Sequence, residues 1–227
     1  MSLVIGDIHG CLTELEQLVG LLPPDEQLVF LGDYVDRGPQ SAGVIAYLQQ
    51  LSLTRECVFL MGNHEAMMKA AIEHDDQIPF WLINGGEATL DSYGMCSERW
   101  RSQHPQKRQL PGFLRFHESL RYYYEDEQSI YVHAGIDLDK PDMADQNPRV
   151  LLWVRERFVS NADRWHGKQV FFGHTPTRTL KLPPGDIYRS GKITGIDTGC
   201  VYGGHLTAID SSTLQIFQVP GFTGWPS

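Results

Sequence analysis

The stretch LVFLGDYVDRG, Leu28 to Gly38, decides how the chain is read. Leu28, Val29, Phe30 and Leu31 follow one another without a polar break, which describes a strand covered on both faces rather than one with a wet side. The run stops at Gly32, where the backbone is free to turn sharply, and Asp33, Asp36 and Arg37 follow at once. Charged side chains grouped at the end of a buried strand need a ligand or a reaction to justify them.

The same order recurs along the chain in LVIGDIHG, CVFLMGNHE, SIYVHAG and QVFFGHT. Helical patterns separate the first runs. In CLTELEQLVGLL the residues Leu12, Leu15, Leu18, Val19 and Leu22 share one face, and QSAGVIAYLQQL reads similarly. Strand and helix in alternation predict an α/β fold with a mostly parallel sheet, and ligand sites in such sheets gather beyond the carboxyl ends of the strands. Residues 74–127 break the rhythm, mixing Trp81, Trp100, Pro105 and Pro111 with Tyr122, Tyr123 and Tyr124. They read as a mainly helical insertion whose ends return to the same sheet, within a single domain spanning 1–227. At the C-terminal end, ITGIDTGC, HLTAID and TLQIFQV read as strands, the last two joined by a tight hairpin around Ser211 and Ser212.

Composition narrows the partners. The chain has 227 residues, 41% of them hydrophobic, enough for one ordinary core. Its formal charge of −9 opposes sequence-independent attraction to a phosphate backbone, so no nucleic acid partner is expected, while a local pocket for one phosphate stays compatible. Cys11, Cys57, Cys96 and Cys200 show no short spacing and read as reduced thiols. The segment MSLVIGDIHG lacks a basic leader, and no window approaches the ~20 apolar residues of a membrane span, so a cytoplasmic location without a membrane partner is expected.

Asp7, His9, Asp33, Asp36, Asn63, His64, His133 and His174 stand at the ends of separate predicted strands. Oxygen and nitrogen donors assembled from five segments suit two divalent ions, and the absence of thiolates favours manganese or iron over a structural zinc site. His205, after GCVYGG, reads as a strand residue near the site. His74, His104, His117 and His166 read as surface residues, and Met67 and Met68 as core filler.

Taken together, GDIHG, GDYVDRG, GNHE, HAG and GHT resemble the phosphoprotein phosphatase family of metallophosphoesterases, especially its compact bacterial and phage-type serine/threonine phosphatases. The resemblance runs from Gly6 to about Ile209, insertion aside. It implies a four-layer α/β/β/α sandwich around two divalent metal ions, manganese foremost, with iron, zinc, nickel or cobalt as alternatives. It implies that Asp7 and His9 hold the first ion, that Asp33 bridges, and that Asn63, His133 and His174 complete the second site. A metal-activated hydroxide would attack phosphorus directly. His64, oriented by Asp36, would protonate the leaving group, and Arg37 and Arg155 would hold phosphate oxygens, with Arg157 competing for the last role. A helix-start cap before GPQSAGV is the bland alternative for Asp36.

The implied substrates are phosphoserine and phosphothreonine in proteins or peptides, with phosphotyrosine open, and small phosphoesters in vitro. Symmetrical diadenosine tetraphosphate hydrolases resemble the same motifs, but they typically carry Ala in place of Asp36 and Asp in place of Glu65. VDRG and GNHE therefore favour the protein phosphatases, and Glu65 serves as a discriminator without a catalytic role. A non-catalytic phosphate- or metal-binding module would have lost ligands or the acid, and none is lost.

Overall fold

The structure, a computed structural model, describes residues 2–105, 108 and 110–224. Its N-terminal half runs β1 (Ser2–Ile5), α1 (Leu12–Leu21), β2 (Gln27–Phe30), α2 (Ser41–Leu51), β3 (Cys57–Phe59) and α3 (Asn63–Glu73). Short helices α4 (Ile78–Trp81), α5 (Glu87–Ser92), α6 (Ser97–Arg101) and α7 (Phe113–Glu118) lead to β4 (Tyr123–Glu125) and β5 (Ser129–Val132). Then come α8 (Pro148–Trp153), α9 (Glu156–Val159), β6 (Gln169–Phe172), β7 (Tyr188–Ser190), β8 (Ile193–Gly195), β9 (His205–Asp210) and β10 (Ile216–Pro220).

The strands form two five-stranded sheets, ordered β10-β9-β1-β2-β3 and β4-β5-β6-β8-β7. Each sheet holds three adjacent parallel strands, β1, β2 and β3 at one side of the first and β5, β6 and β8 in the middle of the second, and its remaining strands join by antiparallel pairing. The unbroken apolar runs now have a cause. On β1, Leu3 and Ile5 point into a core with Leu15 and Leu18 of α1 and Val44 and Leu48 of α2. Val4 between them points the other way, packing with Val29, Tyr131 and Phe171 between the two sheets. On β5 and β6, Ile130, Val132, Val170 and Phe172 face a third core with Leu151 and Phe158. Both faces of each central strand are dry, and the stack is the four-layer α/β/β/α sandwich.

Two expectations change. Segment 74–127 does not return to the sheet it left: β3 belongs to the first sheet and β5 to the second, so the segment is the crossover between sheets. Tyr123 and Tyr124 form edge strand β4 of the second sheet rather than part of a helical lid. Within this segment Gln106, Lys107 and Gln109 lie outside the described residues. The turn between β9 and β10 spans 211–215, longer than a tight hairpin, and Asp210 Oδ1 organises it by accepting the amides of Ser212 (2.8 Å) and Thr213 (2.9 Å). All four cysteines are free. No helix among the described residues is long and apolar enough to cross a membrane.

Candidate metal centre and acid pair

Asp33 is the hub. Its carboxylate lies 3.4 Å from His9 Nε2, 3.5 Å from His133 Nε2 and 4.0 Å from His64 Nε2, and it accepts the His64 amide at 3.1 Å. Two triads share it, His9–Asp33–His64 and Asp33–His133–His174, all buried. Asp7 stands in neither triad; its carboxylate accepts the His174 amide at 3.0 Å. Close approach explains two glycines here. A Cβ on Gly62 would sit 2.1 Å from Asp33 Oδ1, and one on Gly173 would sit 2.1 Å from Asp7 Oδ1.

The loops that present these groups are strained. His9, Asp33, Asp36, Arg37 and His174 all have positive φ, between 46° and 71°. Such conformations cost on the order of 1–3 kcal/mol each and persist only where the surroundings over-determine them. Glu65 supplies much of that constraint. As the third residue of α3 it reaches back to the Gly62 amide (3.0 Å), and the same carboxylate accepts the amides of Asp33 (3.0 Å), Tyr34 (2.8 Å) and Val35 (3.2 Å). Read from sequence as a mere discriminator, Glu65 is the clamp that joins the GNHE turn to the GDYVD turn.

Asp36 and His64 form a second buried unit. His64 Nδ1 donates to Asp36 Oδ2 at 2.7 Å. The Asp36 carboxylate also accepts the Trp81 indole N–H at 3.0 Å and the Thr89 hydroxyl at 2.7 Å, and its amide donates to Thr89 Oγ1 at 2.8 Å. The cap of α2 is Gln40, so the carboxylate of Asp36 is used on the imidazole and not as a helix cap. Trp81 and Thr89 come from the crossover, whose Gly85 carbonyl also accepts the Arg37 amide at 3.1 Å. A stretch with no role legible in sequence thus buttresses this pair.

The donor chemistry fits cations. His9 Nδ1 donates to the Val35 carbonyl (2.8 Å) and His133 Nδ1 to that of Leu31 (2.9 Å), which leaves each Nε2 as a lone pair turned inward. His133 Nε2 lies 2.9 Å from Asn63 Oδ1, acceptor facing acceptor, with His174 Nδ1 3.2 Å away. Burial pushes His9, His133 and His174 below the ordinary imidazole range, so extra protons do not resolve that crowding. Burial, with Asp197 and Asp33 nearby, pushes the Asp7 carboxyl up. Burial also opposes charge on Asp33, but four surrounding imidazoles outweigh it and hold that carboxyl below the usual range. Buried carboxylates beside inward lone pairs match what two divalent ions require.

Arg37 Nη1 reaches His9 Nε2 at 2.5 Å, and Arg155 Nε donates to His174 Nε2 at 3.0 Å. Arg157, exposed, instead lines the edge of a small cavity of about 60 Å³ with Ile136 and Phe158. Asp197 was missed by sequence reasoning. It is buried after β8, burial pushes its carboxyl up to about 6, and Asp33 adds to the shift against the Gly199 amide. The signal was available, since Asp197 follows the apolar run ITGI as Asp7 follows LVI. His205 is half-buried on β9, and His74, His104 and His166 are exposed, with His117 half-buried.

A family model described as calcineurin-like phosphoesterase matches residues 2–205. Serine/threonine-protein phosphatase 1 of Salmonella typhimurium is 30% identical over 213 residues, 90% of this chain and 88% of that protein. The asymmetrical Bis(5'-nucleosyl)-tetraphosphatase PrpE of Halalkalibacterium halodurans is 27% identical over 245 residues, 96% of this chain and 92% of that protein. A crystal structure described provisionally as a diadenosine tetraphosphatase superposes with a TM-score of 0.70 at 23% identity, over 98% of this chain and 94% of the other. The two sheets, the shared Asp33 and the match across most of the chain agree: this chain belongs to the calcineurin-like phosphoesterase family.

Proposed function

We propose that this chain hydrolyses phosphomonoesters, with phosphoserine and phosphothreonine in proteins as substrates and His64 as the acid that protonates the leaving oxygen. The family is one of dinuclear metal-dependent hydrolases. Asp7, His9, Asp33, Asn63, His133 and His174 would hold two divalent ions, manganese foremost. When bound, these supply an acidified water as nucleophile and neutralise charge on the phosphate.

The observation that carries the reading is the buried His64–Asp36 pair, 2.7 Å apart and fixed by Trp81 and Thr89. With Nδ1–H committed to Asp36, Nε2 is the atom left to deliver a proton. A serine or threonine alkoxide is strongly basic and cannot leave without one, so a buttressed acid is of most use on such esters. Arg37 and Arg155 supply planar guanidiniums for phosphate oxygens. Hydrolysis of dinucleoside tetraphosphates is the second reading, favoured by similarity to PrpE along nearly the whole chain.

The test is a side-by-side assay of phosphoserine, phosphothreonine and phosphotyrosine peptides and diadenosine tetraphosphate at equal metal loading, with His64→Asn alongside. That variant is expected to keep its metal content and lose about 10²- to 10⁴-fold in rate on phosphoserine peptide, less on p-nitrophenyl phosphate. Equal losses on both substrates would remove the acid role from His64.

A further inference from the structure

A third arginine stands at the site without a part in the chemistry above. Arg178 lies in a 3₁₀ turn just beyond His174 and is exposed. Its guanidinium carbon is 4.1 Å from the ring centroid of Tyr202, and that of Arg37 is 5.5 Å from the same centroid. The two cations therefore lie no farther apart than those distances combined. Tyr202 is held in its own short turn between Gly199 and Gly203, both with positive φ.

Among the described residues, none of Arg37, Arg155 and Arg178 pairs with a carboxylate, although the chain carries a net charge of −9. Asp7 and Asp197 act on Arg37, and Asp197 on Arg155, from beyond ion-pair distance, so the repulsion among the cations is only partly offset and an anion is still attracted. Stacking on Tyr202 offsets part of that cost and aims the guanidinium beforehand. One phosphate accounts for Arg37 and Arg155, and leaves Arg178 over.

We propose that Arg178, seated on Tyr202, is a subsite for a second phosphate, the one joined to the scissile phosphate in a phosphoanhydride chain. This rests on the reading of the site as a phosphoester hydrolase and assigns the second reading above, hydrolysis of dinucleoside tetraphosphates, a binding residue of its own. A phosphoanhydride delivers its second charge already connected, without the entropy of ordering a peptide backbone. In the reaction a water oxygen bonds to phosphorus and the anhydride P–O bond breaks. The phosphate on Arg178 leaves as an anion with the electron pair, and the water's protons pass to solvent. That leaving group is weakly basic, so it depends less on His64 than an alkoxide does.

Binding is measured first, by calorimetry of tripolyphosphate and orthophosphate on chelator-treated protein. Arg178→Ala is expected to weaken tripolyphosphate about fivefold or more and orthophosphate by less, a change read directly from the two Kd values. With metal-loaded enzyme, the ratio of kcat/KM for diadenosine tetraphosphate to that for p-nitrophenyl phosphate is expected to fall similarly, mainly through KM, and to recover in part in Arg178→Lys. Equal changes for both ligands, or no change, overturn the subsite. An effect confined to a peptide with two adjacent phosphoserines overturns the assignment to a phosphoanhydride. Loss of tripolyphosphate affinity in a protein that hydrolyses none of the esters would instead refute the proposed function and leave the subsite standing.

Discussion

Thr89→Val isolates the contribution of the crossover to the acid pair. Thr89 is fully buried at 0% exposure, and valine keeps its volume and branching while removing the hydroxyl. The change deletes a 2.7 Å hydrogen bond to Asp36 Oδ1 and a 2.8 Å one from the Asp36 amide. A hydrogen bond to a charged group contributes about 1.5–3 kcal/mol. Asp36 keeps the Trp81 indole on its carboxylate and the Ser41 hydroxyl on its amide, so the low end, about 1.5 kcal/mol, is the expected loss of stability. If the same energy is what holds His64 on aim in the transition state, the rate on an alkyl phosphate falls about tenfold. An aryl phosphate with an acidic leaving group should lose less, because its departure needs less protonation. The assay pairs urea unfolding with kcat over a series of esters of graded leaving-group basicity, with Thr89→Ser as the restoring variant. A uniform loss across the series, or full activity in a protein destabilised as expected, would refute the link from Thr89 through Asp36 to His64.

Asp33→Asn is expected to release both metal ions and abolish turnover, since it removes the carboxylate common to both triads; two ions retained in elemental analysis would contradict the shared role. Glu65→Gln replaces an acceptor oxygen with an amide NH₂ amid the amides of Gly62, Asp33, Tyr34 and Val35. Losing charge-assisted bonds while opposing donor to donor should cost about 2–4 kcal/mol, and unfolding within 1 kcal/mol of wild type by urea would show that the clamp carries little load.

The sequence determined much of the site and part of the fold. Unbroken runs such as LVFL and QVFF required strands covered on both faces, and the polar residues after them had to lie at strand ends. Local chemistry set those features, because apolar periodicity and glycine-bearing turns act over a few residues.

Sheet membership was not local. The runs of β3 and β5 read alike, and only packing assigns them to different sheets, with Val58 and Tyr131 meeting in the core between them. The buttress of Asp36 joins residues 45 and 53 positions away in the chain, Trp81 and Thr89, and no repeat or spacing announces it. The choice of Arg155 over Arg157 for contact with His174 depends on how the chain leaves α8, and Arg178 joins Arg37 only because both reach Tyr202. Residue types fix which chemistry is available, whereas distance between segments fixes which groups share it, and that distance exists only once the two sheets have closed on each other.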